Sequence, residues 1–371
     1  MGSEVISRRQ FLRMAALSLG GFALRPWLAG PADRNTGALA PTAEPLPADA
    51  PTAGKIGRVL GGNIEVKVRP DEDSPTVKTL PEDTLVDWLA EGIGTRPLWN
   101  DQRYVETPDG YIYSANLQPV RNLPNQPLNG LPDTQGMWVE VTVPYVDLQL
   151  ANPPGRSPWL KYTSTPRLYY SQVMWADQIR AGEQGQPLYR VTDRYGSFGD
   201  YFWAEGQAFR PLQPEAITPI NPEVMDKLVV VDLTYQTLSC LEGDSEVYFC
   251  RVSTGPKLNS KSKSGGEWAT PLGKHTIWRK LIAVHMTGGT TGGGYDLAGI
   301  GWTTLFASKG MAIHSTFWHN SFGTPQSHGC VNCKPEDALW IFRWTLPVVE
   351  AEPGDITLSG QTSTKVLVKE S

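Results

Sequence analysis

The chain has 371 residues, of which 40% are hydrophobic and only 19% are charged, and this composition excludes an intrinsically disordered protein. Thirty-three basic residues against 38 acidic ones give a net charge of −5, so the chain lacks the basic character of a nucleic-acid-binding protein. The 37 glycines and 31 prolines favour many turns and short strands, which excludes a helical bundle or a coiled coil.

The N-terminal residues have the pattern of an export signal. A charged segment, residues 7–13, precedes an apolar run at 14–24 that is too short to be a standard membrane span. The pair Arg8-Arg9, followed by Phe11 and Leu12, resembles a twin-arginine signal. We therefore expect residues 1–29 to direct the chain out of the cytoplasm, into the cell wall or periplasmic space. If the signal is not cleaved, it would associate the chain with a membrane.

Residues 30–54 contain five prolines and no aromatic residue, which predicts an extended linker. The next segment, 55–123, has short alternating runs such as 64–68 and the turn-flanked 110–113, and these predict a small β-barrel. Its closing strands resemble those of a bacterial SH3-type domain.

A related ending at 200–212 predicts a second SH3-like module at 164–213, with 124–163 as a connecting segment. Two roles are open for these modules: they are spacers, or their aromatic surface binds cell-wall peptide or glycan.

The C-terminal third begins with a predicted hairpin. Strand 227–233 leads into 236–241, and 246–252 returns after a turn centred on Gly243-Asp244. In that register Cys240 faces Val247 and Cys250 faces Thr237, so the two thiols are too far apart for a disulfide. A helix is predicted from Lys334, with Pro335 in its first turn.

Three motifs follow the hairpin and carry a resemblance. They are Thr270-Pro271-Leu272-Gly273, Ala312-Ile313-His314-Ser315 and Ser327-His328-Gly329-Cys330-Val331-Asn332. In this order they resemble the L,D-transpeptidase (YkuD-type) family over residues 223–358, which leaves 359–371 as a tail. The resemblance implies a mostly β fold, with a curved sheet or β-sandwich capped by a helix. It also implies a cysteine nucleophile that acts on peptidoglycan stem peptides without a cofactor.

The resemblance has two departures. Many members of the family have Arg where this chain has Asn332, and many have Gly where it has Ser315. A branch of the family shares both residues. The departures therefore affect substrate detail and leave the reaction class unchanged.

The candidate nucleophile is Cys330. At neutral pH a cysteine thiol is mostly protonated, so a nucleophilic cysteine needs a nearby base. Two histidines, His314 and His328, precede it closely in the sequence. The resemblance selects His314 as the base and Ser315 as the residue that orients it. His328 is then expected to be a structural hydrogen-bonding residue at the substrate site.

Other residues are expected to bind substrate or stabilise the oxyanion. Gly329 would allow close backbone approach, so that nearby amides, including that of Cys330, form an oxyanion hole. The glycine-rich stretch 288–301 is either a lid or a plain flexible loop. The remaining candidates at the site are Ser327, Asn332, Tyr295 and Trp302.

The expected activity is acyl transfer that joins the third residues of two stems, a 3→3 cross-link, with release of D-Ala. Alternatives are a carboxypeptidase or a wall-anchoring transferase that uses the same thioester, and a non-catalytic wall-binding protein. Cys330-x-x-Cys333 also matches a redox dithiol, but no thioredoxin-like pattern surrounds it. No metal-binding motif is present in the sequence. Carbapenems are expected as inhibitors.

Overall fold

The computed structural model describes residues 54–96, 101–132, 135–256, 268–288 and 295–371. These residues form three successive β units, which we call the first (54–123), middle (135–217) and C-terminal (226–371) units. In the described part of the chain, no helix has the length and apolar character needed to cross a membrane. The predicted signal, residues 1–29, and the linker up to residue 53 lie outside the described residues.

The first unit has a three-stranded sheet, β4-β1-β8, and a five-stranded sheet, β3-β2-β7-β6-β5. Its core is made by alternate strand residues such as Val66 and Ile112. It stays a prediction that this unit is an SH3-like domain. The strands are β1 (Ile56–Val59), β2 (Ile64–Lys67), β3 (Thr76–Leu80), β4 (Leu85–Asp87), β5 (Ala90–Ile93), β6 (Arg103–Thr107), β7 (Gly110–Tyr113) and β8 (Leu117–Val120).

The middle unit is larger than the sequence predicted. Its strands are β9 (Met137–Val141), β10 (Tyr145–Asp147), β11 (Gln149–Leu150), β12 (Arg167–Tyr169), β13 (Val173–Ala181), β14 (Pro187–Thr192), β15 (Phe202–Glu205) and β16 (Phe209–Pro211). Strand β9 pairs with both β13 and β16 in a six-stranded sheet. The stretch 124–163 is therefore more than a connecting segment, because its strand β9 is an interior strand of that sheet.

The C-terminal unit contains two five-stranded sheets, β19-β18-β17-β26-β20 and β24-β23-β22-β21-β25, with one helix. Its elements are β17 (Lys227–Asp232), β18 (Thr237–Glu242), β19 (Ser245–Arg251), β20 (Gly273–Thr276), β21 (Arg279–Gly288), β22 (Tyr295–Leu305), β23 (Ala312–Ser315), β24 (Val331–Cys333), α1 (Pro335–Trp344), β25 (Asp355–Thr357) and β26 (Lys365–Lys369). This is the mostly β architecture with a helix that the sequence predicted.

The predicted tail, 359–371, contains β26. This strand pairs in parallel with β17 and antiparallel with β20, and it buries Val366 and Val368 in the core. The expectation of a tail is therefore wrong. The short alternating run Lys365–Lys369 is too brief to stand out as a central strand by its pattern alone.

The β18–β19 hairpin has a bulge that shifts the predicted register. Glu242 faces Ser245 as expected, but the register shifts beyond Leu241, so Cys240 faces Tyr248 and Cys250 faces Leu238. The bulge brings the two cysteines one position nearer than predicted. All four cysteines of the chain are free.

Arg58 of β1 connects all three units. Its Nη1 donates to Asp83 Oδ1 of the first unit (2.7 Å), and its guanidinium lies 3.9 Å from the Tyr169 ring of the middle unit. Its Nη2 donates to the carbonyl oxygen of Phe317 in the C-terminal unit (3.1 Å). Because Arg58 is 1% exposed, each of these contacts is made away from water.

Helix α1 follows directly after β24 and is anchored at both ends. Pro335 lies at its first position, where a missing amide hydrogen costs nothing, as the sequence predicted. At the other end, the buried Lys280 Nζ donates to the carbonyl oxygens of Phe342 (2.7 Å), Thr345 (2.6 Å) and Pro347 (2.8 Å). One ammonium thus satisfies three carbonyls around the helix C-terminus.

We expect Lys280→Met to lower the free energy of unfolding by about 3 kcal/mol, because three buried carbonyls would lose their donor. Denaturant unfolding followed by circular dichroism measures the change. Lys365→Met, on the exposed side of β26, is the matched control and should change stability by less than about 0.5 kcal/mol. Equal effects of the two substitutions would contradict the assigned role of Lys280.

Candidate active site

The candidate site is organised by the parallel pairing of β23 with β24. Ile313 faces Val331 and His314 faces Asn332 in this register. Cys330 directly precedes β24 and lies two residues before Asn332, the residue opposite His314. The pairing thereby brings together two segments of chain whose candidate residues are 16 positions apart in the sequence.

His314 is buried and is held in one tautomer. Its Nδ1 lies 2.9 Å from the carbonyl oxygen of Ser315, which can only accept a hydrogen bond, so the proton of the neutral ring is on Nδ1. Nε2 is left as a proton acceptor. Burial lowers the pKa of His314 to about 4, against the opposing effect of the Ser315 carbonyl. Ser315 therefore orients the histidine through its backbone oxygen.

Cys330 is 8% exposed and its thiol is in the neutral form. Sγ donates to the carbonyl oxygen of Gly310 at 3.9 Å. Burial raises the pKa of Cys330 to about 11, only partly offset by a hydrogen bond from the Ala312 amide. With the lowered pKa of His314, this makes the resting pair a thiol and a neutral imidazole.

The turn before Cys330 is fixed by its own side chains. Ser327 Oγ accepts from the Gly329 amide (3.1 Å) and donates to the carbonyl oxygen of Cys330. Thr270 Oγ1 donates to the carbonyl oxygen of Gly329 (3.0 Å). In the sequence Thr270 stands out only as part of a motif, and the structure gives it this role. Ser327, expected to bind substrate, instead holds the turn from inside.

Gly329 has a φ of +108°, and a Cβ there would lie 2.4 Å from Met311 Sδ. Only glycine fits this backbone conformation. The amide of Gly329 donates a hydrogen bond to Ser327 Oγ. This amide is therefore already paired within the protein, which leaves the oxyanion hole to other amides.

Asn332 is 1% exposed and bonds to a second buried histidine, His319. His319 Nδ1 accepts from the Ser321 amide (3.2 Å), so the proton of its neutral ring is on Nε2. Nε2 lies 2.9 Å from the Asn332 amide group, whose oxygen is otherwise unpaired. Both groups are satisfied if the Asn332 side-chain amide is flipped, so that Oδ1 faces His319 Nε2 and accepts its hydrogen bond. Asn332 is therefore an internal bracing residue, not the substrate ligand expected from the sequence.

His319 is a functional-site neighbour that the motifs in the sequence did not indicate. Burial, together with the charge that His314 would carry, lowers the pKa of His319 to about 3. Its only signal in the sequence is its position five residues after His314, which is too weak to have identified it.

Three aromatic rings border the site. His328 packs edge-on against Trp268, with ring centroids 4.3 Å apart, and lies 5.6 Å from the ring of Tyr295. Burial, together with the charge that Cys330 would carry, raises the pKa of Tyr295. Tyr295 thus lies beside His328, two residues before Cys330. Of the stretch 288–301, predicted to be a lid or a flexible loop, residues 289–294 lie outside the described residues, whereas Gly288 ends β21 and residues 295–301 belong to β22.

Trp302 is not at the site. It is 1% exposed and packs in the core, 5.7 Å from the ring of Phe342. The sequence predicted Trp302 to be a substrate-site residue because it follows a glycine-rich stretch. In the structure, strand β22 directs its side chain into the core. In the described part of the chain, no three side chains are grouped to bind a metal ion.

Comparisons with known proteins agree with the motifs. Residues 226–368 match the YkuD family model, the L,D-transpeptidase catalytic domain. A search of curated proteins gave no match. Several solved structures do match the chain at low identity.

An Enterococcus faecium L,D-transpeptidase is 20% identical, with 40% of this chain and 51% of that chain covered and a TM-score of 0.30. An L,D-transpeptidase from Stackebrandtia nassauensis is 23% identical, with coverages of 39% and 55% and a TM-score of 0.27. L,D-transpeptidase 3 from Mycobacterium tuberculosis, solved with a faropenem-derived adduct, is 16% identical, with coverages of 54% and 91% and a TM-score of 0.29.

The chain therefore spans about half the length of the first two structures. The family model is specific to the unit that carries His314 and Cys330. From residue 226 to residue 368, this chain is similar to the L,D-transpeptidase catalytic domain.

Proposed function

We propose that the C-terminal unit is a peptidoglycan L,D-transpeptidase with Cys330 as nucleophile and His314 as general base. The observation that carries this proposal is the hydrogen bond from His314 Nδ1 to the Ser315 carbonyl, which leaves Nε2 as the proton acceptor. The β23–β24 register sets this base opposite Asn332, two residues after Cys330. The family match to residues 226–368 supports the substrate class.

In the first half-reaction, Nε2 of His314 takes the thiol proton while Sγ of Cys330 attacks the carbonyl that joins the third stem residue to D-Ala. The backbone amide of Cys330 is the proposed donor to the oxyanion. His314 then returns the proton to the leaving amine, the C–N bond breaks, and D-Ala departs. The product is a thioester between the stem and Cys330.

In the second half-reaction, the amine of another stem's third residue attacks the thioester. His314 accepts the proton that this amine loses and gives it back to the Cys330 sulfur as the C–S bond breaks. The new amide is a 3→3 cross-link, and the enzyme regains its neutral pair. Water in place of the amine would make the same site a carboxypeptidase.

The neutral resting pair determines when the proton moves. A thiol with a raised pKa and an imidazole with a lowered one disfavour a preformed thiolate–imidazolium pair. Proton transfer therefore accompanies the attack, when the developing positive charge on His314 is met by the negative charge on the substrate. The twin-arginine pattern at residues 8–12 supports an extracytoplasmic site of action, where such substrates lie.

Cys330→Ala should abolish acyl transfer and leave the fold intact, because the change removes one sulfur atom and keeps the backbone and Cβ in place. Purified chain is incubated with disaccharide-tetrapeptides, and the products are identified by mass spectrometry. Cys250→Ala, a matched change in the core strand β19, should retain the activity. Cross-linked dimers formed by Cys330→Ala would refute the proposal, whereas tripeptides without dimers from the unmodified chain would identify a carboxypeptidase.

A carbapenem should acylate the chain once, at Cys330, because the strained lactam presents a carbonyl to the same thiol. The sulfur adds to the carbonyl and the ring C–N bond opens, so the intact mass rises by the whole mass of the drug. Peptide mapping locates the adduct. An equal adduct on Cys330→Ala would show that another group reacts.

The alkylation of Cys330 by iodoacetamide should rise about tenfold per pH unit from pH 7 to pH 10, because the thiolate fraction grows in this way below a pKa of about 11. Peptide mass spectrometry after timed quenching gives the rate at Cys330 itself. His314→Asn should show the same slope. A rate that is already constant between pH 6 and pH 8 would reveal a preformed thiolate–imidazolium pair and contradict the neutral resting state.

A further inference from the structure

A buried cluster of three charged side chains lies outside the chemistry described so far. His285 of β21 lies between two carboxylates, with Nδ1 2.9 Å from Asp193 Oδ2 and Nε2 hydrogen-bonded to Asp296 Oδ1. All three side chains are at least 90% buried. We call Asp193, His285 and Asp296 the carboxylate clamp.

The clamp is a fully satisfied ionic network. Both ring nitrogens face oxygens that accept hydrogen bonds, so His285 carries both protons and a positive charge. Burial opposes this charge, but the two aspartates outweigh it and raise the pKa of His285 to about 10. The second oxygen of Asp193 accepts from the Gly299 amide (2.7 Å), and that of Asp296 accepts from the Trp159 amide (2.8 Å).

The clamp joins two units. Asp193 and Trp159 belong to the middle unit, whereas His285, Asp296 and Gly299 belong to the C-terminal unit. The backbones also meet here: the His285 amide donates to the Tyr195 carbonyl (2.9 Å). A Cβ on Gly196 would lie 2.4 Å from the His285 carbonyl oxygen, so only glycine permits this approach.

A bulge in the β21–β22 pair directs the clamp residues. The register shifts between Val284 and Met286, so His285 lies opposite the two-residue segment Ala298-Gly299. Gly299 has a φ of +62°, and its amide leaves the ladder to reach Asp193. Bulges commonly redirect side chains in this way near functional sites.

The clamp is one residue from the candidate active site. Tyr295 precedes Asp296 in β22 and pairs with Gly288. Because successive side chains alternate, Asp296 faces the clamp while Tyr295 faces the other side, where its ring lies 5.6 Å from that of His328. The position of Tyr295 beside His328 is thus set by the strand that the clamp holds.

We propose that the carboxylate clamp is a positioning device: by fixing β22 to the middle unit, it places Tyr295 against His328, two residues before Cys330, and so shapes the pocket for the acyl donor. This inference rests on the proposed function. His285, Asp193 and Asp296 are positioning residues that act through Tyr295, and the middle unit contributes to the site without touching substrate.

The test uses the full chain and a carbapenem as probe, with the acylation rate of Cys330 measured against drug concentration. Asp193→Ala should raise the half-saturating concentration and lower the acylation efficiency about tenfold, because small displacements of site groups are costly. Alkylation by iodoacetamide, which needs no pocket, should stay within about twofold. Asp177→Ala, which breaks the Arg190 ion pair within the middle unit (2.8 Å), is the matched control and should leave both rates unchanged.

Asp193→Asn should restore most of the efficiency, because its Oδ1 can accept from the Gly299 amide while its Nδ2 donates to a neutral His285. In a Tyr295→Ala background, Asp193→Ala should cause no further loss, since the clamp acts through Tyr295. If Asp193→Ala does not fold, His285→Gln replaces it with the same expectations, because the single amide nitrogen of glutamine does not span both carboxylates as the two ring nitrogens of His285 do.

Unchanged efficiency in Asp193→Ala, or full additivity with Tyr295→Ala, would overturn the positioning role. An equal loss in iodoacetamide alkylation would also overturn it, because that result indicates general damage to the site. An unmodified chain that the carbapenem does not acylate would overturn the proposed function itself and this inference with it, so the two failures are distinguishable.

Discussion

The parallel pairing of β23 with β24 is the constraint on which the candidate site depends. Each strand is only three or four residues long, yet their register sets His314 opposite Asn332 and brings Cys330, directly before β24, to the end of this pair. A slip of one residue would turn one of the two side chains to the opposite face. The rest of the C-terminal unit can be understood as the support that keeps this short pair in register.

That support comes from both sides of β24. Ser253 exchanges two backbone hydrogen bonds with Asn332, at 2.8 and 3.0 Å, and its hydroxyl reaches the Ser321 carbonyl. On the side of the loop, Thr270 and Ser327 hold the turn at Gly329. The result is a closely packed site from which water is largely excluded, and this burial is the physical reason that the thiol and imidazole remain neutral.

The sequence was sufficient for features that are local. Pro335 at the start of α1, the strand that carries His314 and the tetrapeptide that carries Cys330 all follow from short-range patterns. It failed where distant contacts decide the outcome. The hairpin register shifted because a bulge has no clear sequence signal, and Trp302 became a core residue because Phe342 lies opposite it. Likewise, nothing in the sequence around Asn332 shows that its partner is His319 rather than a substrate.

Arg58 bears on how the chain divides into cooperative folding units. The family match begins at residue 226, but the Phe317 carbonyl takes its hydrogen bond from a guanidinium 259 residues earlier in the chain. A fragment cut at residue 226 would lose this hydrogen bond from Arg58 to the loop that also carries His319. The residue at which the family match begins is therefore not the boundary of an independently stable unit. Local unfolding of the first unit would also destabilise the loop between β23 and β24.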